Sequence, residues 1–258
     1  MESKELIWSI ITLSEKELRR FMRIWVQTLV PPAVTTSLYF VIFGSLIGPR
    51  IGAMDGFDYI QFMIPGLIML AVITAAYSNV VSSFYGAKFQ RAIEELLISP
   101  MPNWAILFGY VFGGVARGVM IGVIVFFVSL VFYPNFEIAN YGLTILVLFL
   151  TSIMFSLMGF INAVYADSFD DIAVIPTFVL TPLIYLGGVF YSINILPDIW
   201  RNISLANPML YVVNTFREGM LGSSDVSIPL ALGMMMGFII LFTAICLYLL
   251  NKGIGIRQ

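Results

Sequence analysis

Long apolar runs, interrupted by short polar stretches, set the character of this chain. Six runs come close to or exceed the roughly 20 residues that a helix needs to cross a hydrocarbon core. They fall at about 24–48, 59–84, 105–132, 141–165, 172–195 and 228–250. None alternates strictly between apolar and polar positions, and all are too long for barrel strands. Helices and closed barrels are the two structures whose backbone groups are satisfied in lipid. The pattern therefore predicts an all-α, polytopic membrane protein with six transmembrane helices and no soluble domain of any size. The whole of 1–258 reads as one transmembrane domain, with a segment 1–23 ahead of the spans, the spans within 24–250, and a tail 251–258.

Two polar interruptions carry a helical pattern of their own. In "ESKELIWSIITLSEKELRRFMR" and the two residues after it, Ile7, Ile11, Leu18, Phe21, Met22 and Trp25 share one face, and Lys16, Arg19, Arg20 and Arg23 share another. This predicts an amphipathic helix lying in the membrane interface, or a simple positively charged anchor. The segment is too long and too acidic for a cleavable signal, so the first span is expected to stay in the mature protein. In "GAKFQRAIEELLISPMPNW", residues 86–104, Phe89, Ala92, Ile93, Leu96 and Leu97 fall opposite Lys88, Gln90, Arg91, Glu94 and Glu95. A helix over 88–97 follows, about 15 Å long, with Arg91 spaced to pair with Glu94 or Glu95. It reads either as a loop helix that turns the chain or as a docking surface for a soluble partner.

Composition agrees and removes several classes of function. Of 258 residues, 60% are hydrophobic and 11% charged, with mean hydropathy +0.96, against about 25% charged in soluble domains. The absence of histidine and the single cysteine, Cys246, exclude a histidine-based metal or acid–base site and an internal disulfide framework. The net charge of −2 gives no sign of nucleic-acid binding. Charge also orients the chain. Lys4, Lys16, Arg19, Arg20, Arg23, Lys88, Arg91, Lys252 and Arg257 fall on one side, against Arg50, Arg201 and Arg217 on the other. The positive-inside bias then places both termini and the 86–104 interruption in the cytoplasm.

Further residues stand out. Asp167, Asp170 and Asp171 lie in "ADSFDDIAV", a cytoplasmic loop without a basic residue. Helix capping is the simplest account of them, and contact with a basic partner surface is the sharper one; their spacing resembles no calcium loop. Arg117 falls inside the third span, where a cation is costly and is expected to face protein or water, or to snorkel toward the interface. Gly114, Gly118 and Gly122 leave one face of that span bare for close helix packing. Pro31, Pro32, Pro65, Pro176 and Pro182 lie within spans and allow kinks. The external stretch 192–222 suggests two short helices that dip back toward the membrane, started near Pro197 with Asp198 and near Pro208 with Asn207. No phosphate-binding glycine loop and no nucleophile–base pair is visible. The spans hold almost no carboxylates, which argues against a proton-coupled carrier. No internal repeat of the kind found in inverted-repeat carriers is visible.

The chain resembles the permease subunits of type-2 ATP-binding-cassette (ABC) exporters over essentially its whole length. The resemblance rests on the amphipathic segment leading into span one, on "FMIPGLIML", on "FYGAKFQRAIEELLISPMPNW", and on the terminal pattern "LP" at 196–197, "NP" at 207–208, Tyr211 and Arg217. It implies a homodimer of six-span subunits in a bacterial inner (plasma) membrane, with two separate ATPase subunits docked on the cytoplasmic side. ATP and Mg would be bound by those partners, and this chain would hold no cofactor or metal. The helix between spans two and three would be a coupling helix, with Lys88, Arg91, Glu94 and Glu95 as docking residues and Asp170 and Asp171 as a smaller contact. Residues 196–220 would form external re-entrant helices. No role for Arg117 comes with the resemblance. An ion-coupled carrier or channel, and a non-transporting membrane scaffold, stand as the other readings; association with an ATPase separates them from the first.

Overall fold

The computed structural model describes residues 3–255; Arg257 and the end of the tail lie outside them. The chain is helical almost throughout. Helix α1 (Ser3–Arg23) is followed without a loop by α2 (Trp25–Tyr39), which continues through a π-helical stretch (Phe40–Ile47) into α3 (Gly48–Ile51). A two-residue hairpin, β1 (Ala53–Met54) and β2 (Phe57–Asp58), turns at Asp55 and Gly56, both at positive φ. The long helices α4 (Tyr59–Phe89), α6 (Asn103–Phe132) and α7 (Tyr141–Tyr165) come next, with the short α5 (Ala92–Ile98) between the first two. After them come α8 (Asp171–Ile175), a π-helical stretch (Pro176–Leu180), α9 (Thr181–Tyr185), α10 (Asp198–Leu205), α11 (Pro208–Leu221) and α12 (Ile228–Lys252).

Five helices are long and apolar enough to cross a membrane: Trp25–Ile51, Tyr59–Phe89, Asn103–Phe132, Tyr141–Tyr165 and Ile228–Lys252. The run expected as one helix over 172–195 is different. Its helix stops at Tyr185, which at 1.5 Å per residue gives about 22 Å, short of a hydrocarbon core of roughly 30 Å. Gly188 follows at φ +77°, and the chain turns inward. Apolar residues continue past the stop because Val189 and Ile193 are buried in protein, not because the helix continues in lipid.

Helix α4 forms the centre of the bundle, lying against α6 and α7 along most of its length. The packing depends on missing side chains. A Cβ on Gly159 would stand 2.6 Å from the Tyr77 carbonyl oxygen, and one on Gly66 would stand 2.5 Å from that of Val189. Around this centre lie α1 against α6, α12 against α7, and α11 against both α4 and α7. The prolines do not break their helices at Pro31, Pro32 or Pro65. Pro176 opens one π-helical stretch, whereas the Phe40–Ile47 stretch contains no proline.

Candidate functional site

Helix α1 divides into three sectors. Leu13, Glu17 and Phe21, spaced four apart, are buried against the bundle. Ile7, Trp8, Ile11 and Met22 are exposed, as is Trp25 at the start of α2, and Lys16, Arg19 and Arg23 line a separate polar flank. The expected apolar face therefore looks outward, except for Phe21, and Arg20 leaves the expected polar face to turn inward. Glu17 is fully buried. Ser83 of α4 donates to its Oε2 at 2.6 Å, and Arg20 donates from Nε at 3.3 Å. Arg20 also donates to the backbone and side-chain oxygens of Asn79, at 2.9 and 2.8 Å. Residue types alone concealed this cluster, because a charge on an amphipathic helix is ordinarily assigned to water.

At the end of α4 the expected helix over 88–97 is two pieces. Arg91 takes a left-handed conformation, φ +59°, and separates α4 from α5. It stands outside the short helix, and the ion pair its spacing allowed with Glu94 or Glu95 is not formed. Lys88, expected on the exposed polar face, is buried. Its ammonium donates to the carbonyl oxygens of Val164 at 2.9 Å and Ala166 at 2.8 Å, closing the last turn of α7, with Asp167 3.8 Å away. Arg91, Glu94 and Glu95 remain exposed while Ile93 is buried beneath them.

The aspartate loop is fastened to the same end of α4. The Tyr85 hydroxyl donates to the Asp167 carbonyl at 3.0 Å, and the Phe169 ring packs edge-on to Tyr85 and Phe89. Asp171 accepts from the backbone N–H groups of Asp167 and Ser168, and the Ser168 hydroxyl oxygen accepts from the Asp171 N–H. This reciprocal exchange is a capping box, readable as the S-x-x-D at 168–171. The neighbouring Ser168 hydroxyl first, then the backbone N–H groups of Asp167 and Ser168, hold the Asp171 carboxyl below the usual carboxylate range. Asp170 is exposed and makes no capping bond from its side chain. Tyr85, Lys88 and Phe89 thus gather the segments holding Glu94, Glu95, Asp170 and Asp171 at one end of the bundle.

Within the bundle, the glycine row packs inside its own chain. A Cβ on Gly114 would collide with Ser156 and Val80 and one on Gly118 with Ser152, while those on Gly118 and Gly122 would press tightly on Ala76 and on Leu148 and Val72, respectively. A second row on α6 meets α1: a Cβ on Gly109 would lie 2.5 Å from Leu13, and one on Gly113 2.7 Å from Glu17. Arg117 lies between α6 and α2, half-buried, with one nitrogen 3.4 Å from the Thr28 carbonyl oxygen.

The opposite end is organised by Arg217, which is 1% exposed. Its guanidinium donates to the Gly188 carbonyl at 2.6 Å and the Asn214 side chain at 3.1 Å, and lies 3.9 Å over the Phe62 ring. Pro197 directly precedes α10, and Asn207 caps α11, whose first residue is Pro208. Asn207 also donates to the Leu183 carbonyl, and the Tyr211 hydroxyl to that of Leu205. Gly219, near the other end of α11, lies against Thr144 in the first turn of α7. The junction of α10 and α11 is therefore tied to α9 through Asn207.

Among the described residues, no group of three or more His, Cys, Asp or Glu is placed to hold a metal ion.

Residues 9–221 match the sequence model of the ABC-2 type transporter family. The chain is similar to the inner membrane transport permease YadH of Escherichia coli strain K12, 54% identical over 254 residues, covering 98% of this chain and 99% of that protein. More distant similarity reaches nodulation protein J of Rhizobium leguminosarum bv. viciae, at 23% over 79% of this chain and 78% of that protein. Nodulation protein J of Rhizobium meliloti is 22% identical over 88% of this chain and 86% of its own length.

Proposed function

This chain belongs to the ABC-2 type transporter family, and from that membership we propose an exporter in which two copies of it form the pathway and two ATPase subunits drive it. The chain is the membrane permease subunit of an ABC transporter and belongs to a permease family, not an enzyme family. It is a multi-pass protein of the inner membrane. ATP and Mg bind to the ATPase partners. In this arrangement both termini and α5 face the cytoplasm, as the excess of Lys and Arg there favours. The helix Asp171–Tyr185 enters from the same side as a sixth, incomplete crossing, and α10–α11 re-enters from the outside to meet it.

Helix α5 is the coupling helix. One observation carries this assignment: α5 hangs from the most buried helix of the bundle through Gln90 and the left-handed Arg91, and Arg91, Glu94 and Glu95 face solvent. A push on α5 therefore passes into α4, which is held on both sides by glycine contacts. Asp170 adds a smaller docking contact, and Asp171 sets the shape of the loop that presents it. Lys88 acts from beneath, by holding that loop to α4.

The test is co-purification of the ATPase with a Glu94→Arg/Glu95→Arg variant. Loss of the ATPase, with permease inserted at wild-type levels, is the expected result. Retained association together with undiminished transport rejects α5 as the docking surface.

A further inference from the structure

The polar flank of α1 borders an open, shallow groove of roughly 660 Å³. Lys16, Arg19, Arg20 and Arg23 line it, with Glu15 as the one carboxylate. Glu15 is already engaged by Arg19, whose Nε donates to it at 2.9 Å, and Arg20 is paired with Glu17, so Lys16 and Arg23 keep an unmatched positive field. The neighbouring sector of the same helix exposes Ile7, Trp8, Ile11 and Met22, and Trp25 at the start of α2 is exposed beyond it. A helix with that apolar sector lies with it sunk at the headgroup–acyl boundary, which sets the groove at the level of the phosphates. Arg20 is the fixed element of the groove. Its bonds to Glu17 and Asn79 hold the guanidinium in place, and its side chain keeps 31% of its exposure. A second hollow of about 400 Å³ lies beside the first and shares Thr12 and Lys16 with it. Its apolar walls include Trp8, Leu13, Leu96 and Met101, so it runs between α1 and α5.

We propose that this pair of hollows is a binding site for an anionic phospholipid, its phosphate in the basic groove and an acyl chain in the apolar hollow against α5. Basic clusters on interfacial helices attract anionic headgroups; here the adjoining apolar hollow selects an amphiphile over a free phosphate ion. The site deepens the reading above, since it rests on α1 lying in the cytoplasmic interface beside the coupling helix. Arg20 makes the lipid phosphate part of the cluster that holds α1 to α4.

The full chain, purified in detergent and titrated with phosphatidylglycerol or phosphatidylcholine of matched chains, tests this by native mass spectrometry. Retention of phosphatidylglycerol over phosphatidylcholine is expected. Arg23→Ala should weaken retention about fivefold, and Lys16→Ala/Arg19→Ala/Arg23→Ala roughly a hundredfold; both leave Arg20 and its buried bonds in place. Inorganic phosphate at millimolar concentration should not displace the lipid. Equal retention of the two lipids, unchanged retention in both variants, or displacement by phosphate would each overturn the assignment. ATPase capture by the same variants should match wild type; if capture falls while lipid retention holds, the groove belongs to a protein contact instead. That readout is separate from the Glu94→Arg/Glu95→Arg experiment, so the two proposals fail independently.

Discussion

The Glu17 carboxylate lies 2.6 Å from the Ser83 hydroxyl, so a charge on the first helix is held in the interior against α4. Removing one member of a buried ion pair costs about 3–5 kcal/mol, and the partial exposure of Arg20 puts this case toward the lower end. Glu17→Ala should therefore lower the melting temperature in detergent clearly. Glu17→Gln, which still accepts from Ser83, should cost less, about 1–3 kcal/mol. Equal melting of all three proteins would mean that the cluster does not fasten α1.

Lys88→Met should loosen the end of α7. It leaves the carbonyls of Val164 and Ala166 without their donor, a loss on the order of 1–3 kcal/mol. Limited proteolysis should cut within 166–171 faster than in wild type. Glu94→Arg/Glu95→Arg changes only exposed side chains and should leave that rate unaltered. A matching rise in both variants would contradict the division between a holding lysine and exposed glutamates.

Glycines should separate by what lies opposite them. Gly114→Val has no room beside Ser156 and Val80, and it should prevent or severely weaken folding. Gly233 and Gly237 on α12 have open space in front of them. Alanine at either should be neutral or stabilising by up to about 1 kcal/mol, through helix propensity. Comparable yields of folded Gly114→Val and Gly233→Ala in size-exclusion chromatography would count against the packing described.

The Asp171 capping box should be sensitive to acid. Its carboxyl is held below its ordinary range in the folded chain, so the folded form binds protons less readily than the unfolded form. Its stabilising effect is then full above the ordinary aspartate pKa, about 3.9, and is lost as pH falls through the lower folded value. Amide exchange at Asp167 and Ser168, corrected for intrinsic rates, should rise on acidification across that window. Asp171→Asn should remove the dependence; a residual slope of wild-type size would assign the effect to another group.

The long helices were legible because hydropathy and length together require them. What hydropathy could not show was which solvent an apolar residue meets. Val189 and Ile193 extended the fifth run on paper, yet they pack in protein beyond a helix that ends at Tyr185. The direction of long side chains was equally hidden: Lys88 sits on the polar side of a helical wheel, but the left-handed turn at Arg91 ends that wheel three residues later. The row Gly114, Gly118, Gly122 was readable from its even spacing, although its partners were not. Gly109 and Gly113 acquire meaning only once Leu13 and Glu17 of α1 lie over them. The caps at Asn207 and Pro208 were legible because their signals are local.

In the most apolar stretch of α4, 78% of positions are buried, against 17% for the corresponding stretches of Trp25–Ile51 and Ile228–Lys252. Hydrophobic mismatch is thus registered unevenly. A thinner or thicker bilayer asks the more exposed helices to tilt, while α4 is screened by α6, α7 and α11 and meets the change through them. Membrane thickness is felt at the rim of the subunit, and the helix that carries α5 keeps a depth reference set by protein.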